Sequence, residues 1–160
     1  MATYNRTSTG GGTVGHPSSA NRAYVMTSPV YDAVDNTSLA GGDIVQMMDI
    51  PADTMIIGGC LEVLEAAGNA AITMDLGFTG GDVDCFLDND SFVAGFSTFL
   101  NAGLGATSNN CVMVTTADTI DALIIDSGSS GETAARFRIH VCMVDVSRNP
   151  VESATVSTGT

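Results

Sequence analysis

The chain has 160 residues, the size of one domain with a single core, and only 14% of them are charged. It contains no lysine, five arginines, fourteen aspartates and four glutamates, for a net charge of -13. A field of this sign repels phosphate backbones and anionic membrane surfaces, so we expect no nucleic acid and no membrane among its partners.

Residues 1–22 and 149–160 consist almost wholly of Gly, Ser, Thr, Asn and Pro. Such segments bury too little apolar surface to offset the entropy lost on ordering them. The composition therefore predicts an extended N-terminal arm at 1–22, a folded domain at 23–148 and a C-terminal tail at 149–160. Because no stretch resembles a signal peptide or a membrane span, we expect that the chain is made and used in the cytosol, or leaves it without the secretory route.

Between the two tails, apolar and polar residues alternate in short runs that end at turn residues. This period of two is typical of strands with one buried face. It predicts eight strands, at residues 23–27, 44–49, 55–66, 71–78, 83–87, 111–116, 119–126 and 135–146. With no helices alternating between them, the predicted fold class is all-β, an antiparallel β-sandwich of jelly-roll type.

The stretch TGGDVDCFLDND at residues 79–90 contains four aspartates. It does not fit an EF-hand loop, because counting from Asp82 puts Phe86 and Val93 at ligand positions. A looser calcium site remains an alternative, with ligands from Asp82, Asp84, Asp88 and Asp90. We favour a tight turn at the two glycines, followed by a strand with Val83, Cys85 and Leu87 inward and the aspartates in water.

Residues 91–104, SFVAGFSTFLNAGL, have phenylalanines at three- and four-residue steps. This spacing predicts one or two turns of helix, or a packed loop that crosses one end of the sheets. Gly95 and Gly103 weaken a helix here by about 1 kcal/mol each. We therefore expect at most one short helix in the chain.

The last predicted strand, ARFRIHVCMVDV, concentrates scarce positive charge. Because successive side chains of a strand point to opposite faces, one face carries Phe137, Ile139, Val141 and Met143. The opposite face carries Arg136, Arg138 and His140. Two interpretations stay open: bidentate contacts with carboxylates of a partner, or pairs with this chain's own aspartates across the sheet. On the first interpretation the predicted partner contacts are Arg6, Arg22, Arg136, Arg138 and His140.

Nothing in the sequence indicates catalysis, a metal or a cofactor. The four cysteines are far apart and match no zinc spacing, so we expect free, buried thiols at Cys60, Cys85, Cys111 and Cys142. His16 and His140 have no nucleophile elbow near them, and the scattered carboxylates single out no hydrolase pair. We expect a protein that is not an enzyme.

Four stretches together resemble a group of small virion proteins of tailed phages. They read GDIVQMMDIPADTMIIGGCLEVLEAA, ITMDLGFTGGDVDCFLDN, TTADTIDALIID and ARFRIHVCMVDVSRN. The resemblance covers about residues 24–148, and it implies a β-sandwich of the head decoration or cement type, often trimeric or dimeric on the capsid. It carries over no catalytic or binding residues.

The resemblance implies a decoration protein that binds and stabilises the major capsid protein shell of a tailed phage. Its expected partners are the major capsid protein and itself, as a homotrimer or homodimer, and its expected location is the capsid exterior of the virion after assembly in the host cytoplasm. Two alternatives stay open: a tail, knob or fibre component that contacts the host, and a calcium-dependent carbohydrate-binding module that uses the aspartates of residues 79–90.

Overall fold

The computed structural model describes residues 23–35, 39–68, 71–78, 80–99, 111–126 and 133–146. Within these ranges the secondary structure consists of strands, and no helix long and apolar enough to cross a membrane occurs. The ten strands are β1 Ala23–Thr27, β2 Tyr31–Asp32, β3 Ile44–Ile50, β4 Thr54–Glu65, β5 Ile72–Gly77, β6 Leu87–Ser91, β7 Gly95–Phe99, β8 Val112–Val114, β9 Asp118–Asp126 and β10 Arg136–Asp145. The predicted arm and tail lie outside the described residues.

The strands form two antiparallel sheets. Sheet I has the order β1-β10-β4-β7, with β2 also paired to β10 and β8 also paired to β4. Sheet II has the order β3-β9-β5-β6. The ten strands therefore fill eight positions, because each edge position of sheet I is shared by two short strands. Successive positions alternate between the sheets, except that β5 and β6 pair within sheet II. This is the double Greek-key pattern of a jelly roll, which confirms the predicted fold class.

One hydrophobic core lies between the sheets and takes side chains from both. In β10 the predicted inner residues Phe137, Ile139, Val141 and Met143 are all 0% exposed. In β5 the inner residues Ile72, Met74 and Leu76 are likewise buried, and Phe78, just after the strand, is half-buried. The period-two alternation was thus a correct guide to the core face, since successive side chains of a strand point to opposite faces.

Two predicted elements are wrong. Residues 83–86 form a loop, and the strand begins only at Leu87. Residues 95–99 form strand β7 instead of helix, while 100–104 lie outside the described residues. Phe92 is buried and packs edge-on against Phe137, with 5.2 Å between ring centroids, whereas Phe96 is 67% exposed. The phenylalanine spacing therefore does not mark one helical face.

All four cysteines are free, as expected. The expectation that they are buried holds only in part. Cys60, Cys85 and Cys142 are half-buried, and Cys111 is exposed because it precedes β8 at the end of the sandwich.

Candidate functional site

The outer face of sheet I, which points away from sheet II, carries a charged stripe. Arg136, Arg138 and His140 alternate outward along β10, as predicted, and each meets an acidic residue of this chain. Arg136 Nε lies 2.8 Å from Asp32 Oδ2 on β2, and Arg136 Nη1 lies 3.9 Å from Glu65 Oε2 on β4. The pairing partners on β4 are glutamates rather than the aspartates that we expected.

Glu62 is the centre of the stripe. Its Oε2 accepts a 2.5 Å hydrogen bond from Arg138 Nε and lies 2.9 Å from His140 Nε2. His140 Nδ1 in turn lies 2.9 Å from Thr27 Oγ1 on β1. The hydrogen bond from Arg138, and then that from His140, hold the pKa of Glu62 below its usual value. The network links β1, β10 and β4 side by side.

Thr27 and Glu62 are site residues that the sequence did not reveal. They lie 113 and 78 positions away from His140, and no local pattern in the sequence connects them. A hydroxyl, an imidazole and a carboxylate in this order also occur in catalytic triads, but these three groups lie along the open face of a sheet on three adjacent strands. Arg6 and Arg22 lie outside the described residues, and partner contact for all five predicted residues stays a prediction.

The other half of the same outer face is uncharged, and we call it the apolar band. One row of cross-strand partners runs Ala23–Val144–Met55–Met113 through β1, β10, β4 and β8. A second row contains Val25, Cys142 and Gly58. Val25 is 64% exposed and Met113 is 48% exposed. The band therefore presents apolar side chains to solvent across four strand positions of the sheet.

The acidic residues are concentrated away from this face. Both arginines of the described residues lie in the charged stripe, where Asp32, Glu62 and Glu65 neutralise them. By contrast, the loop between β5 and β6 carries Asp82 and Asp84, and β6 carries Asp88 and Asp90, with no arginine or lysine in either segment. The outer face of sheet I is thus nearly neutral in a chain with a net charge of -13.

The loop between β5 and β6 folds back tightly over sheet II. Phe78 N donates to Asp82 O and Gly81 N donates to Phe78 O, both at 2.9 Å. A Cβ on Gly77 would overlap the carbonyl groups of Asp82 and Val83, so the loop packs closely only against a glycine at this position. The two-glycine turn that we predicted is therefore part of a larger folded loop.

Two aspartates of this loop bond to each other, and a third aspartate, on β5, bonds to the backbone of β6. A hydrogen bond between the Asp82 and Asp84 carboxyl groups raises the pKa of Asp82. Asp75 on β5 is buried, and its Oδ1 accepts a 2.8 Å hydrogen bond from Asn89 N; burial raises the pKa of Asp75. Among the described residues, no group of three or more His, Cys, Asp or Glu side chains is arranged to hold a metal ion. The geometry does not bring Asp82, Asp84, Asp88 and Asp90 together as a calcium site.

A groove of about 260 Å³ lies between β8 and the loop that follows β5. Its walls combine apolar side chains with two carboxylates, and its main lining residues are Phe78, Asp82, Val112, Val114, Thr116 and Asp118. Asp82 and Asp118 are exposed at its rim, while Val114 is buried at its base. The groove therefore has room for one large side chain, with negative charge beside it.

No protein-family model matches this chain, and no curated protein sequence matches it. Its fold is similar to chains in three solved phage structures. The first is the acidic stable capsid of Helicobacter pylori bacteriophage KHP30, with a TM-score of 0.55 and 12% identity over 80% of this chain and 91% of that chain. The second is the cyanophage Pam1 capsid asymmetric unit, with a TM-score of 0.55 and 14% identity over 78% of this chain and 85% of that chain. The third is the capsid of Ralstonia phage GP4, with a TM-score of 0.56 and 15% identity over 81% of this chain and 88% of that chain.

Proposed function

We propose that this chain is a non-enzymatic structural protein of a phage virion, a decoration or cement protein that binds the major capsid protein shell. The observation that carries the proposal is the fold that it shares, over about four fifths of its length, with chains from the capsids of three different phages. A jelly roll without a catalytic constellation is suited to binding through shape.

The size of the similar chains supports an accessory role. Since 80% of these 160 residues corresponds to 91% of the KHP30 capsid chain, that chain has about 140 residues. A domain of this size holds a single core and little else. It fits a subunit that sits on the exterior of a shell and stabilises contacts between the shell's own subunits.

The apolar band is the face that we assign to the shell. Burial of exposed Val25 and Met113 is favourable, while the acidic remainder of the molecule stays in water. Arg136, Arg138 and His140 border the band and can reach carboxylates of the shell protein at its rim. Residues 1–22 serve as the main tether between adjacent shell subunits. A homotrimer or homodimer presents several apolar bands at once, which strengthens binding to the shell.

The test is the number of copies that bind to phage particles lacking this protein. Val25→Asp places a charge in the apolar band, and Ile44→Asp makes the same change at a 47% exposed position on the edge strand of sheet II. We expect hundreds of copies for the native chain and for Ile44→Asp, and a loss of at least tenfold for Val25→Asp. Equal occupancy for both variants would show that the band is not part of the interface. A few dozen copies at one vertex would indicate a tail protein instead.

A further inference from the structure

Strand β8 lies at an edge of sheet I, where another strand can add to the sheet. Among the described residues, β8 pairs only with β4, and all three of its residues line the groove. The strand, Val112–Val114, is short but contains no charged residue and no proline, two of the features that protect edge strands against pairing. In sheet II, the edge strand β6 does carry such features, with Asp88, a left-handed Asn89 and Asp90.

The chain itself contains a segment of matching chemistry. Residues 1–22 include Arg6 and Arg22 but no acidic residue, in a molecule that is otherwise strongly acidic. In an extended strand, Tyr4 and Arg6 point to the same side because side chains alternate with a period of two. An aromatic ring and a guanidinium group two residues apart match a groove with an apolar base and carboxylates at its rim.

The distance from the end of this segment to the groove is short. Ala23 begins β1 in the same lateral row as Met113 of β8. Three strand spacings separate them, about 14 Å. The sixteen residues between Arg6 and Ala23 are rich in Gly, Ser and Thr, and the average end-to-end distance for a chain of that length and composition is roughly 22 Å. The first residues can therefore reach the groove of their own copy across the outer face of sheet I.

We propose that the groove between β8 and the loop at residues 78–82 binds the N-terminal segment of the same chain, with Tyr4 between Phe78 and Val112 and Arg6 beside Asp82 and Asp118. The segment adds an extended strand to the free edge of β8. Linkage through residues 7–22 raises its local concentration, so weak contacts suffice. This inference concerns the free protein and does not depend on binding to a capsid.

The test uses the full chain with a photoreactive phenylalanine analogue, p-benzoylphenylalanine, at position 4. After irradiation at low micromolar concentration, we expect cross-links within one chain, to residues 78–82 and 112–118, identified by peptide mass spectrometry. Asp82→Asn with Asp118→Asn removes the rim charge and keeps the size of both side chains, so the yield of these cross-links falls. The matched control, Asp35→Asn with Asp43→Asn, changes the same charge at exposed positions away from the groove.

Trypsin supplies a second readout, because a chain without lysine is cleaved only after its five arginines. Loss of the rim charge should speed cleavage after Arg6 about fivefold, because two exposed ion pairs contribute an effect of about that size. Cleavage after Arg148 should stay unchanged. The proposal is wrong if cross-links scatter over the surface, if they join only different chains and vanish on dilution, or if cleavage after Arg6 is the same in both double variants.

Discussion

Glu62 and His140, 78 positions apart in the chain, are diagonal neighbours on β4 and β10 with 2.9 Å between Glu62 Oε2 and His140 Nε2. The same Glu62 oxygen accepts the hydrogen bond of Arg138. One carboxylate oxygen therefore links the central strands of sheet I through two hydrogen-bonding partners on β10.

Glu62→Gln should lower the melting temperature at pH 7 by a few degrees. The folded pKa of Glu62 lies below its ordinary value of 4.5, since Arg138 and His140 bond to the charged form. Its contribution is therefore complete above pH 4.5 and is lost as the pH falls through the lowered folded pKa. Thermal unfolding from pH 7 to pH 2 should show the two proteins converging at the acidic end.

The matched control for this variant is Glu65→Gln. Glu65 is 54% exposed and its closest approach to Arg136 is 3.9 Å, so removal of its charge should change stability little at any pH. A Glu65 effect as large as the Glu62 effect would show that net charge, not the network around Glu62, governs the result.

Asp75→Asn should raise the melting temperature at pH 7. Asp75 is only 7% exposed, and burial raises its folded pKa above the ordinary 3.8, so the ionised form destabilises the fold at neutral pH. Asparagine keeps an oxygen for the Asn89 backbone N–H. The gain should shrink as the pH falls through the raised folded pKa and should disappear below 3.8, because the native carboxyl is then neutral as well.

Differential scanning calorimetry at pH 7, 5 and 3.5 measures this change, with Asp88→Asn as the exposed control. A lower melting temperature for Asp75→Asn at pH 7 would mean that the charged form makes stabilising contacts beyond the bond from Asn89.

Gly77→Ala should lower the free energy of unfolding by about 2 kcal/mol. The added methyl group would overlap the backbone of Asp82 and Val83, which is less able to move than a flexible side chain. Gly58→Ala is the control, because a Cβ there meets no atom within 4 Å. Urea unfolding of both variants checks the difference, and equal midpoints would show that the loop over Gly77 yields easily.

The cysteines should react with iodoacetamide at very different rates at pH 8. Burial raises the pKa of Cys85 to about 12, so almost none of it is thiolate, whereas Cys111 is exposed. We expect alkylation of Cys111 to be at least about tenfold faster than alkylation of Cys85. Mass spectrometry of the peptides over time measures both rates. In urea the two rates should become similar; a difference that persists there would point to local sequence rather than burial.

The sequence by itself determined the fold class and most core faces. Alternation in β5 and β10 identifies their buried side chains because the two-residue period of a strand is a local property of the backbone. The outward direction of Arg136, Arg138 and His140 follows from the same period. The strand β7 was missed because its phenylalanines also fit a helical spacing, and only pairing with β4 decides between the two.

Only the tertiary structure decided what these outward side chains meet. The partner of Arg138 is 76 positions away, and the apolar band and the groove each bring together strands that are distant in the chain. These neighbours depend on the order and register of strands in the two sheets. Order and register minimise the free energy of the whole domain, so no single stretch of residues specifies them.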